Sequence, residues 1–526
     1  MSNTLHEMDT LQYVSSTDTQ KELTKNSQDS PIPMLIIQNH ADLGRIGETC
    51  RMDGLLTGQV LQLARNQLDF CQAQSPIGTP LADPYLSRSP ILLSALSSGE
   101  IKFDKAENKT PVTVAGLPVE SSLLISQDQL STGVIIELGK RVTLLLKSFP
   151  NSQAKTGDDF GMIGISSKLQ LVREKLNHLK GLDGSVLIRG ATGVGKELVA
   201  KAVYDVSSRT DKPFVKVNLG AIPPSLATSE LFGVQKGAFT GADKDRKGYF
   251  AEANGGTLFL DEIGEASLEV QSLLLRVLES GEFYPVGSGK PKKVDVRLIA
   301  ATDVNLAKLC QENKFKAPLL HRLENYEINV PSLSERSEDI GMLLLHFAEQ
   351  QYQQMDRPFP QTKSDTPWIT NEVMRSLLSY SWPGNIRQLK NIIHQLLIDN
   401  LSSEQLFLSE HLREKLIEND ESKPESTFNK TAKQKKRKPN TVSREELVEE
   451  LKNQLWELQA TADQLNISRT SMYELMKQYD IKSAHDLGID EINLSYLKCD
   501  KDIDKMVLDL KVSKYGLKRR LKELKL

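Results

Sequence analysis

The sequence predicts a multidomain chain with an all-β sandwich first, then a parallel α/β domain ending in a helical subdomain, then an all-α C-terminal region. Three observations carry this. Short β-like runs punctuated by Gly, Pro, Asp and Ser fill residues 33–148. From Gly161, buried-type strands alternate with long amphipathic stretches. After Ser443 only short amphipathic helical patterns remain. The 526 residues suit three or four domains at roughly 150 residues each.

Taken in order, residues 1–31 are polar and aperiodic and are expected to be a disordered leader. The runs MLIIQ, VLQLA, VTVAGLPV, SSLLI and GVIIELGKRVTLLL place the sandwich at 32–150. SVLIRG, FVKVN, GTLFLDEIG and VRLIAATD, separated by stretches such as SLEVQSLLLRVLESG, place the α/β part at 161–335, with helices alone at 336–417. Residues 418–442 hold Pro424, Pro439 and a basic cluster, the composition of a flexible linker. Within 443–526, LNISRTSMYELM (Leu465 to Met476) is echoed by LKVSKYGLKRRL (Leu510 to Leu521), which suggests a duplicated helical unit.

Lys+Arg 66 against Asp+Glu 69 leaves a net charge of −3, so any nucleic-acid contact must be local. Cys50, Cys71, Cys310 and Cys499 form no CxxC pair, which disfavours a disulfide framework or a cysteine zinc site. MSNTLHEMDT lacks a basic stretch before an apolar core, and no run of about eighteen apolar residues occurs. A cytoplasmic location without a membrane partner is therefore expected.

The segment SVLIRG-ATGVGK-ELVAKAVY sets a strand, then Gly190, Ala191, Thr192, Gly193, Val194 and Gly195, then Lys196 opening a helix. Glycines let backbone N–H groups approach phosphate oxygens, the helix N-terminus adds positive potential, and Lys196 can reach the terminal phosphates. Glu197 stands where a magnesium-binding Ser or Thr is usual, so metal must lean on another carboxylate. GGTLFLDEIGE supplies one: an apolar strand ending in Asp261, suited to Mg²⁺, and Glu262, suited to polarising an attacking water. Acidic residues ending a strand can also be plain solvated turn residues.

GATGVGKE, ELFGVQKGAFTGA, GGTLFLDEIGE, VDVRLIAATD and WPGNIRQLKN occur in this order. With them, Met162 to Asn400 strongly resembles the AAA+ domain of bacterial sigma-54-dependent transcriptional activators, or enhancer-binding proteins, in which Glu after the lysine is normal. The resemblance implies an AAA+ P-loop ATPase with a helical lid. It also implies ATP and Mg²⁺ as cofactors, a homo-oligomeric ring (a hexamer by family expectation), and sigma-54 factor, RNA polymerase and double-stranded upstream DNA as partners.

Residue by residue, GAFTGA (Gly237, Ala238, Phe239, Thr240, Gly241, Ala242) matches the family's sigma-54 contact loop, with Phe239 and Thr240 at its tip. Read without the resemblance it is only a glycine-flanked turn. Asn218 matches the residue that holds the catalytic glutamate until the partner is engaged; capping a turn is its ordinary alternative. Arg387 matches the sensor arginine of the lid, and Thr302 with Asp303 the ATN sensor, where Asp303 replaces asparagine. FKAPLLHRL matches the segment that offers two arginines to a neighbouring subunit. Arg322 is one; Lys316 replaces the other and loses its bidentate fork. Pro318 replaces a usual acid, and Ser334 an arginine.

The first domain resembles a forkhead-associated (FHA) sandwich in LADPYLSRSPILL and GVIIELGKRVTLLL. A typical member binds phosphothreonine through an Arg after a Gly, a Ser and an Asn-Gly turn. Those positions fall at Gly58-Gln59, Ser87 and Ala115-Gly116, with Pro90 in place of a usual His. A regulatory protein partner without phosphate is therefore expected at least as strongly. ATADQLNISRTSMYELMKQYDI resembles a Fis-type helix-turn-helix, whose second helix carries Ser468, Arg469, Thr470, Ser471, Tyr473 and Lys477 for DNA. The basic end KVSKYGLKRRLKELKL is either a second DNA contact or a solvated helix face.

The sequence thus predicts an ATP-hydrolysing activator that remodels sigma-54 RNA polymerase into an open complex. Its rivals are a DNA-binding regulator whose ring binds ATP but hydrolyses it weakly, and a general AAA+ remodeller without sigma-54 dependence.

Overall fold

The computed structural model describes residues 31–72, 77–151, 158–238, 243–360 and 366–418, and residues 442–521 with gaps. The leader 1–30 and the linker 419–441 lie outside the described residues. The chain divides into two compact units, Met1–Lys423 and Pro424–Leu526.

Two antiparallel sheets open the first unit. One holds β1 (Ile32–Asn39), β2 (Thr49–Arg51), β6 (Val112–Val114), β7 (Leu117–Pro118), β9 (Val134–Leu138) and β10 (Val142–Phe149) in the order β2-β1-β10-β9-β6-β7. The other is β3 (Leu61–Leu63), β4 (Ile91–Ala95), β5 (Ile101–Asp104) and β8 (Ser122–Ile125), ordered β3-β4-β5-β8. Leu35, Ile136, Leu144 and Leu146 of the first sheet and Leu63, Leu93, Phe103 and Ile125 of the second share one core. That is the inward alternation of a sandwich. β2, β4 and β5 lie outside the strand runs read from sequence; TCR and IKFD are too short and too polar to stand out.

Five parallel strands follow in the order β12-β13-β16-β11-β17: β11 (Val186–Arg189), β12 (Phe214–Asn218), β13 (Thr257–Asp261), β16 (Arg297–Thr302) and β17 (Tyr326–Asn329). A small hairpin, β14 (Glu282–Phe283) with β15 (Lys292–Lys293), stands apart. In β13 every residue from Thr257 to Leu260 is buried, and β16 is buried throughout, as expected of strands covered on both faces by helices. The helix Leu268–Ser280 shows how the sequence starts and stops such a cover. Ser267 caps its N-terminus by accepting the amide of Val270, Val270, Leu274 and Val277 bury one face, and Gly281 ends it at φ +67°.

Beyond β17 the chain is helical: Leu333–Asp339 as a 3-10 segment, then Ile340–Gln354, Asn371–Ser379, Asn385–Asp399 and Glu410–Glu418. These helices form the lid and bury Trp368, Trp382 and a set of Leu and Ile side chains. Leu43 and Ile46, from the turn after β1, belong to the same apolar cluster, so the sandwich packs directly on the lid. The sequence shows two domains here; the interface between them is a finding of the structure.

Asp339 is fully buried, and its Oδ1 accepts the amides of Ile165 at 2.7 Å and Ser166 at 3.0 Å. Burial pushes its pKa up to about 6, with Arg336 pulling it partly back. The folded state therefore binds more protons than the unfolded chain between about pH 4 and pH 6. This contribution is present below that window and is lost as pH rises through it. Asp339→Asn is expected to gain stability relative to the wild type as pH rises across the window, a trend read by calorimetric melting at each pH.

The second unit contains the helices Arg444–Asn453, Arg469–Gln478, Ile489–Lys498 and Ile503–Leu510 around one apolar cluster. Both copies of the echoed sequence bury equivalent residues in it, Met472 and Met476 in the first and Leu517 and Leu521 in the second, while Leu465 is buried and its counterpart Leu510 partly so. Among the described residues no helix is long and apolar enough to cross a membrane.

Candidate nucleotide site

The phosphate loop runs from the end of β11 into the helix Lys196–Asp205. Gly193 and Gly195 adopt φ of +80° and +102°, left-handed values that glycine alone takes without strain. A Cβ on Gly193 would lie 2.5 Å from the carbonyl oxygen of Gly384, so the lid approaches the loop closely there. Val194 is buried in the apolar cluster under the loop and anchors it to the sheet. Its part in binding is therefore its backbone. Lys196 Nζ donates to the carbonyl oxygens of Gly190 at 2.8 Å and Ala191 at 3.3 Å, which arches its ammonium over the loop. The Glu197 carboxylate pairs with Lys216 Nζ of β12 at 2.6 Å.

Parallel pairing brings the acidic strand end alongside. Asn218 of β12 stands directly opposite Asp261 of β13. Glu262 follows at φ +56°. Gly220 sits between the two side chains: a Cβ there would be 2.0 Å from Glu262 Oε2 and 3.3 Å from Asn218 Oδ1. Asn218 Oδ1 accepts the amide of Ala221 at 3.2 Å, the turn-capping role, while its neighbour Gly220 carries the contact to Glu262. Glu262, Glu265, Gly220, Gly264, Thr302 and Asp303 line an open recess of about 330 Å³.

Thr302 ends β16 beside Arg189, and its carbonyl oxygen accepts the amide of Gly190. Asp303 accepts the hydroxyl of Thr192 at 2.5 Å, so the sensor position grips the loop through a carboxylate. From the lid, the Arg387 amide donates to Gly193 O at 3.3 Å. Asn385, unnoticed in sequence, bridges both sides. Its Nδ2 donates to Thr192 O at 3.0 Å and its Oδ1 accepts the Leu333 amide at 2.8 Å. It is buried at φ +51°, a conformation asparagine tolerates better than most residues.

The structure does not bring Lys316 or Arg322 to the loop. Lys316 precedes the helix Ala317–Leu323, and its amide donates to Gln271 Oε1 at 2.8 Å. Arg322 is exposed, with Glu279 3.8 Å away. Of GAFTGA, Gly237 and Ala238 are described and Phe239, Thr240, Gly241 and Ala242 lie outside the described residues. The base of that loop is pinned by the Val234–Arg246 bridge. Ser468 lies outside the described residues, as do the side chains of Arg469, Thr470, Ser471 and Tyr473; the backbone of Arg469–Gln478 is helical and Lys477 is exposed.

In the sandwich, Ser87 lines one small pocket with Arg65, Asn108 and Thr110; Gly58, Ala115 and Gly116 are not among its lining residues. The Ser87 amide donates to Thr110 Oγ1 at 2.9 Å, and Asn108 Nδ2 donates to Ser89 O at 2.5 Å. Arg65, just past β3, and Asn108 are thus the cationic and amide side chains beside Ser87.

The donor set fits a magnesium nucleotide: a cationic lysine on a phosphate loop and a helix N-terminus, with one carboxylate at the adjacent strand end. Among the described residues no group of three or more His, Cys, Asp or Glu side chains is arranged to hold a metal by itself. A Mg²⁺ held by Asp261 would therefore depend on phosphate oxygens and water for its remaining ligands.

Residues 162–329 match the family "Sigma-54 interaction domain", and residues 334–429 match "AAA+ ATPase lid domain". The chain is 38% identical over 304 residues to the regulatory protein LuxO of Vibrio cholerae, covering 58% of this chain and 56% of LuxO. It is 45% identical over 249 residues to the DNA-binding transcriptional regulator NtrC of Salmonella typhimurium, covering 47% and 52%. A crystal structure of NtrX from Brucella abortus in complex with ATP is 28% identical, covers 61% of this chain and 70% of that one, and has a TM-score of 0.45. The match spans about half the length of the curated relatives LuxO and NtrC. The parallel sheet with its phosphate loop is accordingly a sigma-54 interaction domain, and the helices that close over that loop are an AAA+ ATPase lid.

Proposed function

We propose that this protein is a sigma-54-dependent transcription activator that hydrolyses ATP in an oligomeric ring to remodel sigma-54 RNA polymerase. The observation that carries the proposal is the convergence of Lys196, Asp261 and Glu262 at one end of a parallel sheet, under a lid that touches the loop at Gly193. Lys196 and the loop amides bind the phosphates, and Asp261 would hold a Mg²⁺ that would supply positive charge beside the phosphate oxygens. Glu262 orients a water in the recess and takes its proton as the water attacks the γ-phosphorus, releasing ADP and inorganic phosphate. Arg387 reaches the phosphates from the lid. Arg322, exposed and remote from its own loop, suits a role at a neighbouring subunit's nucleotide, with Lys316 as the weaker second cation.

GAFTGA supports sigma-54 as the partner. The helix Arg469–Gln478, rich in small polar and basic residues, supports double-stranded DNA for the second unit. For the sandwich, the Arg65–Ser87–Asn108 cluster supports an FHA-like surface for a regulatory protein partner.

A weakly hydrolysing ring is the second reading. It is favoured by the Asp303 carboxylate bonded to Thr192, where the resemblance calls for a neutral asparagine. Mg²⁺-dependent ATP turnover against protein concentration, for wild type and Lys316→Arg, separates the two. Steeply rising wild-type turnover is expected. Negligible turnover restored by Lys316→Arg would favour the weak ring, and concentration-independent turnover would refute a shared site.

A further inference from the structure

The 3-10 segment Leu333–Asp339 joins the sheet of the ATPase to its lid, and contacts from four directions meet on it. At its start, the Leu333 amide binds Asn385, which in turn holds the phosphate loop at Thr192 O. At its end, Asp339 holds the amides of Ile165 and Ser166, just ahead of the helix Ser167–His178. Between these lies Glu338, whose side chain is 2% exposed. Its partner comes from the sandwich: Lys147 Nζ of β10, at 2.6 Å and itself 11% exposed.

Gln38 of β1 reinforces the same point. Its Nε2 donates to Glu338 O at 2.8 Å, and its Oε1 accepts the Gly341 amide at 3.1 Å. The backbones approach so closely that a Cβ on Gly341 would lie 2.9 Å from Gln38 O. Asn39 Nδ2 donates to Ile369 O at 2.7 Å, and Arg375 of the lid pairs with Glu137 of β9 at 2.8 Å. The sandwich is therefore seated on the lid by directional bonds as well as by Leu43 and Ile46.

A carboxylate as buried as Glu338 is costly without its cation, so removing Lys147 forces the segment to shift or admit water. Any such shift moves Leu333, and with it the Asn385 bridge to Thr192. We infer that Lys147, a residue of the sandwich, is a positioning residue for the nucleotide site, acting through Glu338 and the Leu333–Asp339 segment on the phosphate loop. This inference rests on the ATP reading above. It makes the sandwich a standing part of the ATPase, so that whatever binds the sandwich acts on nucleotide affinity through this seat.

The test uses the full-length chain. ATP KM and kcat are measured for the wild type, Lys147→Met, Lys147→Met/Glu338→Gln, Gln38→Ala and the control Lys102→Met, which alters an exposed ion pair on β5 of the same domain. Lys147→Met is expected to raise KM for ATP at least about fivefold, because Glu338 is left charged and unpaired. Adding Glu338→Gln removes that charge and is expected to bring KM back within about twofold of wild type. The control stays at the wild-type value.

An unchanged KM in folded Lys147→Met overturns the inference, as does a raised KM that Glu338→Gln does not restore. If Lys147→Met does not fold, Gln38→Ala decides: a KM rise of about threefold or more, one lost hydrogen-bonded contact's worth, supports the inference, and an unchanged KM overturns it. A wild type that neither binds nor hydrolyses ATP would instead overturn the nucleotide reading itself.

Discussion

Lys196→Ala is expected to lower ATP affinity by at least about two orders of magnitude, or about 3 kcal/mol. Lys196 is the cation at the loop; its Nζ sits 2.8 Å from Gly190 O, within reach of whatever the loop encloses. Removing it deletes the charge-assisted bonds to the terminal phosphates and leaves the amides and helix N-terminus to bind alone. Fold stability should hold, because Val194 and Val199, not Lys196, pack the loop and its helix on the sheet. Titration with a fluorescent ATP analogue checks this, with a melting curve run beside it. Affinity within a factor of about three of wild type would remove Lys196 from its role.

Glu262→Gln is expected to leave ATP binding within about threefold of wild type and to cut turnover by about 10²- to 10⁴-fold, the usual loss when a general base is neutralised. The substitution keeps shape and hydrogen-bonding reach, so the close contact with Gly220 survives. Only proton acceptance from the attacking water is lost. Binding and steady-state phosphate release, measured on the same preparation, separate the two effects. Undiminished turnover would assign the base elsewhere, with Glu265, which lines the same recess, the next residue to test.

Much of the nucleotide site is legible in sequence because it is contiguous. The phosphate loop is eight residues long, and its glycines, lysine and following helix form a local pattern with a local physical reason. Asp261 and Glu262 are readable for a similar cause: an apolar run that ends in two acids ends a buried strand where ligands bind. Asn218 is readable in kind, as a strand-end residue, but its place opposite Asp261 comes from the β12–β13 register.

Asn385, Gly220 and Lys147 were not legible, because each matters through a residue far away in the chain. Asn385 bonds Thr192, 193 positions earlier. Lys147 pairs with Glu338, 191 positions later, and nothing local marks a lysine in a β-strand as one half of a buried ion pair. The small pocket of the sandwich shows the same limit: Arg65, Ser87 and Asn108 converge on it from separate segments of the chain.

By itself, the sequence determined the order of the domains, the phosphate loop, the acidic strand end and the match to a sigma-54 interaction domain, all of which depend on local pattern and periodicity. Only the tertiary structure decided which side chains surround Glu262, that Glu197 turns to Lys216, and that the sandwich is seated on the lid. Those depend on strand register and on buried polar pairs, whose partners are selected by the cost of leaving a charge or a hydrogen-bonding group unmatched in the interior.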